Sequence, residues 1–600
     1  MPLQVKSITP SGNGAIELGK LNILVGPNNC GKSQTLKDIR GYVISGSLER
    51  LVILRNLDVE VPSKDESILG LSFLPHQNLT HTRILGVNSD LQTRHEIALP
   101  NGWVEQQYSE MGSDSPKNLL SSMGKFWCSS LDAEGRFRLS APVDSYDKRS
   151  EVPSNALQAF YREGKPALQK LRNAFRAAFD TDIAIDWAAM RKLYLKIGRD
   201  FGEIPDTLDG VDNLLREAQD LSTQGDGYRS FAGIALAVLA FPMRLLLLDE
   251  PEAFLHPAQA RALGRWIAQQ TIERQAQVIV ASHSADFLLG AVSAGTSVTL
   301  LRLNRRTDGT TFQCVPPTTT VELIQSPLLS SQPVLDALFH RGVVVCEGDP
   351  DRAVYQTVLH RFFRDAGGEE VLLIHSNGKD AIKTPVETLR RAGTPVCVIA
   401  DIDILNSQST LEATLLALTG GVPSARILEL RSLIATSVEK ATETDILESI
   451  ETSVRQWLEM KHIDLRTARK TLVSSARIKS KWDDVKRKGV SYFDGDSRKQ
   501  IDELLSLLGE SGLFVVPCGE LEGWICSDIA KGARWNRAAL EMLHSGQCPT
   551  DLKCFMQAVL NFVSPSFGAS KQLQPTNDEA TGRSKPDNDA HAQYGLVGEG

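Results

Sequence analysis

The stretch Gly26-Pro-Asn-Asn-Cys-Gly-Lys-Ser33 constrains this chain more than any other. It is a glycine-rich turn that needs a strand before it and a helix after it. Only that arrangement points successive backbone N–H groups at a phosphate held on a helix N-terminus. Both neighbours are legible: residues 21–25 are an apolar strand-like run, and residues 34–42 read as a helix. In such a loop the lysine reaches the β and γ phosphates and the next hydroxyl holds Mg²⁺, which assigns those tasks to Lys32 and Ser33. Gly26, Asn28, Asn29, Gly31 and Gln34 complete the expected nucleotide cradle. At ordinary residue frequencies the pattern arises by chance roughly 0.02 times in a chain of this length, so ATP is the first expected ligand. Cys30 inside the loop is either an oxidisable thiol or a passive small residue.

An ATPase also needs carboxylates. The run Leu245 to Leu248 suits a strand buried on both faces of a parallel sheet, and it stops at two acids. Asp249 at the strand end can hold Mg²⁺, and Glu250 can orient the attacking water. An isolated Asp-Glu pair would equally suit a solvated turn; its companions decide. Upstream, Gln224-Gly-Asp-Gly-Tyr-Arg-Ser-Phe231 precedes an apolar helix candidate, 232–240, and reads as an anion site or as an ordinary helix start. Downstream, a helix at 257–270 and a strand at 277–280 lead to His283, placed to contact a γ-phosphate. In this order the four elements resemble the ATP-binding-cassette type of ATPase, over about residues 1 to 300. Two heads of that family sandwich ATP. The resemblance therefore implies a homodimer or higher oligomer through the heads, with Ser230 and its turn acting on the nucleotide of a partner protomer. The turn departs from the transporter pattern and sits nearer the repair-type and SMC-like cassettes.

A second acidic constellation follows. Strand candidates at 342–346, 371–374 and 395–400, with a helix at 353–363, read as an α/β domain. The first strand runs into Glu347 and Asp351, the second into Asn377-Gly-Lys-Asp380, the third into Asp401-Ile-Asp403. The period of two places Asp401 and Asp403 on one face of a strand end. Four converging carboxylates repel one another unless cations sit among them. Two Mg²⁺ (or Mn²⁺) ions would serve, and would clamp a phosphodiester for in-line attack. Each motif alone would suit an acidic loop at a sheet edge; their shared order and spacing favour the metal reading.

This half resembles a TOPRIM domain, with Glu347, Asp401 and Asp403 matching its Glu and Asp-x-Asp pattern and Asp351 as an additional ligand. A cassette head upstream of TOPRIM resembles the OLD (overcoming lysogenisation defect) family of nucleases, over about residues 1 to 530. The resemblance implies an ATP-controlled, metal-dependent endonuclease that cuts or nicks DNA in anti-phage defence, with room for an accessory defence protein. It also implies that Glu520 and Glu522, in Gly519-Glu-Leu-Glu-Gly523, are outer or second-metal ligands. A catalytic lysine is expected too; Lys531 and Lys379 are candidates, and spacing does not choose between them. An RNA target such as tRNA fits the same residues. A non-nuclease DNA clamp or sensor is the third reading, disfavoured by the intact acids and by the lack of long heptad arms between Lys32 and Gly225.

The expected architecture is α/β: a P-loop ATPase domain at 1–315 with a mixed insertion at about 50–220, a linker at 316–333, and a TOPRIM domain at 334–534 with a helical insertion at about 405–510. A helical segment at 535–565 and a disordered tail at 566–600 close it. Gln77, in the first insertion, is a candidate link between nucleotide and the rest of the chain, or a solvated loop residue. The basic run Lys479 to Lys488 reads as a phosphate-binding patch or a solvated helix face. Net charge of −8 leaves no global basic footprint, so nucleic-acid contact must be local or metal-mediated. The nine cysteines lack zinc or disulfide spacing, and no signal pattern or unbroken apolar span occurs, which points to a reduced cytoplasmic protein off the membrane.

Overall fold

The leucine run is the fifth strand, one in from the edge, of a six-stranded sheet with the order Gly309–Val315, Val298–Arg306, Leu21–Val25, Val278–Ala281, Leu245–Asp249, Cys128–Leu131. All neighbours pair in parallel except Gly309–Val315, which folds back antiparallel on Val298–Arg306. Helices cover both faces, which is why Leu21–Val25 is buried at every position and reads as a continuous apolar run. The structure, a computed structural model, describes residues 1–110, 115–274, 277–306, 309–325, 332–438, 447, 450–452, 454–455, 469, 481–525, 529 and 531–564.

The segment at 50–220 is not purely an insertion. Its strand Cys128–Leu131 is the edge of the central sheet, paired with Leu245–Leu248. Four residues, Cys-Ser-Ser-Leu, are too few and too polar for periodicity to reveal. The remainder builds a meander of Ser72–Pro75, His81–Val87 and Arg94–Pro100, and a second small sheet around Asp182–Asp186 and Lys192–Gly198. The helix Lys165–Phe179 from this region packs on the helix Asp226–Ala240: Phe179 stacks on Tyr228 at 4.4 Å, and Phe175 meets Phe231 edge-on at 5.4 Å.

A second sheet, all parallel, has the order Val371–His375, Gly342–Cys346, Val396–Ala400, Leu513–Val515. Between its last two strands run the helices Gln408–Thr419, Ala425–Ser437, Trp482–Lys488 and Gly495–Glu510. The chain then returns beside Asp401, with Ile402 N donating to Gly519 O at 2.9 Å. Helices Ala533–His544 and Thr550–Val563 close the described chain. The tail at 566–600 lies outside the described residues.

Residues 316–333, expected to be a linker, include the helix Pro317–Gln325. Proline is tolerated at the first helical position, so the Pro- and Thr-rich composition was compatible with a helix. Thr319 and Leu323 are buried, and one apolar cluster runs from the first sheet through Leu323 to the second. Arg302 adds a polar tie. Fully buried, it donates from Nη1 to Gly393 O at 2.8 Å and from Nη2 to His340 O at 2.7 Å. Among the described residues no helix is long and apolar enough to cross a membrane.

Candidate functional site

The first site lies at the carboxyl ends of the central strands. Gly26, Asn29 and Gly31 all take positive φ, which curls the loop and aims its N–H groups inward. Lys32 Nζ donates to Gly26 O at 2.7 Å and Pro27 O at 3.0 Å, and burial pulls its pKa down. Ser33 Oγ donates to Asp249 Oδ1 at 2.8 Å, so the two residues expected to share Mg²⁺ are in contact. Burial first, then Glu250, raises the Asp249 pKa. His283 Nε2 lies 3.4 Å from Glu250 Oε1, and burial followed by Lys32 lowers its pKa to about 4, leaving a neutral imidazole at pH 7. Asn28 and Gln34 flank this loop, with Gln34 Nε2 donating to Asp38. Cys30 is buried and burial raises its thiol pKa, against the oxidisable reading.

Two residues here were not anticipated. Glu252 accepts from Ser282 Oγ at 2.9 Å and from His283 N at 2.6 Å, fixing the histidine's turn. Arg136, fully buried, donates to Asp249 O at 2.7 Å. Their partners lie 30 and 113 residues away along the chain, so neither pairing is visible in the sequence.

One expectation fails on geometry. The helix after the glycine turn already begins at Asp226, which places Ser230 in its second turn with no exposed surface and no hydrogen-bond partner for Oγ. A residue so enclosed does not reach a partner's nucleotide; Gly225 and Asp226 are the exposed part of the turn's start. Gln77, read as a nucleotide link or a solvated loop residue, is exposed on the turn of the separate meander, in keeping with the second reading.

At the second sheet, oxygen atoms of Glu347, Asp401 and Asp403 lie within 4.8 Å of one another. Glu347 ends Gly342–Cys346 and accepts from Asp401 N at 3.1 Å. The convergence has a different cause from the one expected. Asp401 follows its strand and Asp403 sits in the short 3₁₀ helix Ile402–Asn406, so a tight turn, not strand pleating, brings them together. Asp351 lies in the first turn of Asp349–Phe362, not on a loop; its Oδ2 accepts from Gly348 N at 3.1 Å. Lys379 Nζ is 2.9 Å from Asp403 Oδ2. Lys531 Nζ is 2.7 Å from Glu520 Oε2 and 3.4 Å from Glu522 Oε2, on the turn that follows Gly519.

Residues 124–290 match the family described as "AAA domain, putative AbiEii toxin, Type IV TA system". Residues 338–403 match "Overcoming lysogenization defect protein-like, TOPRIM domain". The chain joins an ATPase head to an OLD-like TOPRIM domain. The first match holds Asp249, Glu250 and His283, and the second holds Glu347 through Asp403. Among solved structures the chain is similar to the SMC head domain from Thermotoga maritima, at 14% identity over 52% of this chain and 98% of that one, TM-score 0.28. It is also similar to an SMC head bound to the C-winged helix domain of ScpA, at 12% identity over 52% of this chain and 96% of that one, TM-score 0.31. The C-terminal region of the Xanthomonas campestris pv. campestris OLD protein aligns at 15% identity over 38% of this chain and 98% of that one, TM-score 0.18. No curated protein matches the chain.

The TOPRIM cluster fits a divalent cation on its own chemistry: hard oxygen donors converge, and buried Asp403 Oδ1 has no partner nearer than the Lys486 ammonium at 3.4 Å. Burial, then Asp401 and Asp403, raises Glu347 to about 7; burial, then Asp401, raises Asp351 to about 6. A carboxyl whose folded pKa is raised costs nothing below its unfolded value, costs progressively more between the unfolded and folded values, and reaches its full cost above the folded one. In EDTA, Glu347→Gln is therefore expected to stabilise the protein relative to the parent at pH 8 and not at pH 4.5, by at most about 3 kcal/mol. Parallel melting curves of the two proteins across that range check it. A pH-independent difference contradicts the repulsion.

Proposed function

We propose that this chain is an ATP-binding, metal-dependent endonuclease of OLD type that cuts or nicks DNA in anti-phage defence, with the nucleotide state of the head governing the TOPRIM site. The observation that carries the reading is the convergence of Glu347, Asp401 and Asp403 within 4.8 Å, in a chain whose head brings Ser33 to Asp249. Glu347, Asp351, Asp401 and Asp403 are the residues to hold a divalent cation, with Glu520 and Glu522 serving a second. A bound Mg²⁺ or Mn²⁺ supplies Lewis-acid charge at the phosphodiester and makes water a better nucleophile.

The chain's own residues do the rest. Both lysines are ion-paired, Lys531 with Glu520 and Lys379 with Asp403, and Lys531 is the better candidate to meet a substrate phosphate because its side chain is 61% exposed against 29% for Lys379. In the head, Lys32 and the loop amides hold the triphosphate, Asp249 and Ser33 hold its Mg²⁺, and Glu250 orients water with His283 beside it. Paired heads sandwiching ATP make the working form a homodimer or larger, assembled in the cytoplasm.

The test is cleavage of supercoiled plasmid and of tRNA with Mg²⁺ or Mn²⁺, each with and without ATP. Nicked plasmid, intact tRNA, and a nucleotide effect that disappears in Lys32→Ala are expected. Cleavage of tRNA alone moves the target to RNA, and no cleavage under any condition leaves an ATPase clamp or sensor.

A further inference from the structure

The basic run at 479–488 does not form a uniform solvated face. Residues 479 and 480 lie outside the described ones, and the helix Trp482–Lys488 is held down by buried Trp482 and Val485. That orientation sends Lys486 inward: its Nζ lies 2.7 Å from Asp401 Oδ2 and 3.4 Å from Asp403 Oδ1. Arg487 on the same helix pairs with Asp484 instead.

The backbone, not side-chain chance, sets this position. Gly519 has φ +102°, and a Cβ there would stand 1.9 Å from Lys486 O. Val490 N donates to Pro517 O at 2.8 Å, and Ile402 N donates to Gly519 O at 2.9 Å. Three segments are thereby locked together: the helix bearing Lys486, the turn bearing Asp401 and Asp403, and the turn bearing Glu520 and Glu522. Any side chain at 519 would push the lysine's helix off the acids.

An ammonium at hydrogen-bond distance from Asp401 fills space on the side of that carboxylate where a divalent ion would sit, at about 2.0–2.6 Å from its oxygens. Lysine and ion cannot both hold that position. We infer that Lys486 is a built-in cation that neutralises the Asp401 and Asp403 side of the cluster until a divalent ion displaces it, an inference that rests on the metal-dependent reading above. The four-carbon stem gives the ammonium room to swing aside without moving the helix. Lys486 is thus a positioning residue that sets how much metal the site demands.

The test measures Mn²⁺ binding to the full-length protein by calorimetry, without substrate. Lys486→Gln and Lys486→Met, two uncharged variants in case one folds poorly, are expected to bind Mn²⁺ about tenfold or more tighter than the parent, and to melt lower than the parent in EDTA. Lys486→Arg keeps the charge and is expected to stay near the parental affinity. Uncharged variants that bind Mn²⁺ as weakly as the parent, or more weakly, overturn the inference while leaving the nuclease reading intact, provided Glu347→Gln abolishes the parental binding. If no variant and no parent shows Mn²⁺ binding that depends on Glu347, both fall.

Discussion

Asp401→Ala is expected to lower metal-dependent cleavage by at least about 10³-fold while leaving ATP binding by the head unchanged. Asp401 sits at the centre of the cluster: its own N–H is tied to Glu347 Oε1, and its carboxylate faces Lys486. Removing its side chain takes away a ligand and the partner of Lys486 together, while the backbone N–H that holds Glu347 stays. The fold should survive, because losing one of several mutually repelling carboxylates relieves strain and Lys486 keeps Asp403 within 3.4 Å. Asp403→Ala is expected to cost less, since Lys379 and Lys486 already hold that carboxylate. Initial nicking rates at saturating Mn²⁺, with nucleotide binding measured in parallel, check both. Cutting by Asp401→Ala within tenfold of the parent would sink the site assignment.

Features whose chemistry demands contiguous residues were the legible ones. The P-loop announces itself because glycine turn, lysine and hydroxyl must be adjacent, and the strand ending at Asp249 because burial on both faces imposes an apolar run before an acid. The acids at 347, 401 and 403 were readable as residue types at strand ends. The geometry joining them was not, since nothing in Asp401-Ile-Asp403 distinguishes a pleated strand end from a 3₁₀ turn. Ser230 was misplaced for a related reason: one turn of helix separates an exposed N-terminus from a sealed core face, and the helix begins earlier than its apolar run. Lys486 could not be found at all. Its inward face depends on Trp482 and Val485 finding a core, and its partners lie across the whole helical excursion, so in sequence it is one cation among five in a basic run. Glu252 and Arg136 escaped in the same way, because a buried charge is recognised by its partners and these are supplied only by the fold.

Arg302→Leu is expected to abolish most of the effect of ATP on cleavage while leaving the basal rate of the TOPRIM site within a few-fold of the parent. Arg302 pairs in register with Val25, the residue before the P-loop, and the adjacent Leu303 O would stand 2.4 Å from a Cβ on Gly26. One strand thus presses on the nucleotide loop and, through Arg302, grips Gly393 O and His340 O of the second domain. The grip is not explained by stability. Burial lowers the guanidinium pKa only to about 10, so it stays charged, its Nε has no partner, and its contacts are carbonyls and Asn304. On its removal Gly393 O keeps Asn304 Nδ2 at 3.1 Å and only the His340 carbonyl is orphaned, at about 1–3 kcal/mol, while releasing a buried cation without a carboxylate partner returns several kcal/mol, so the net loss of stability is expected to be small. A costly residue with little net stabilising effect is better accounted for as a link that transmits loop position than as packing. The measurement is the ratio of nicking rates with and without ATP in parent and variant, alongside their melting temperatures. A variant of parental stability that keeps the parental ratio shows that the head speaks to the TOPRIM site by another route, with the apolar contacts through Leu323 the next place to look.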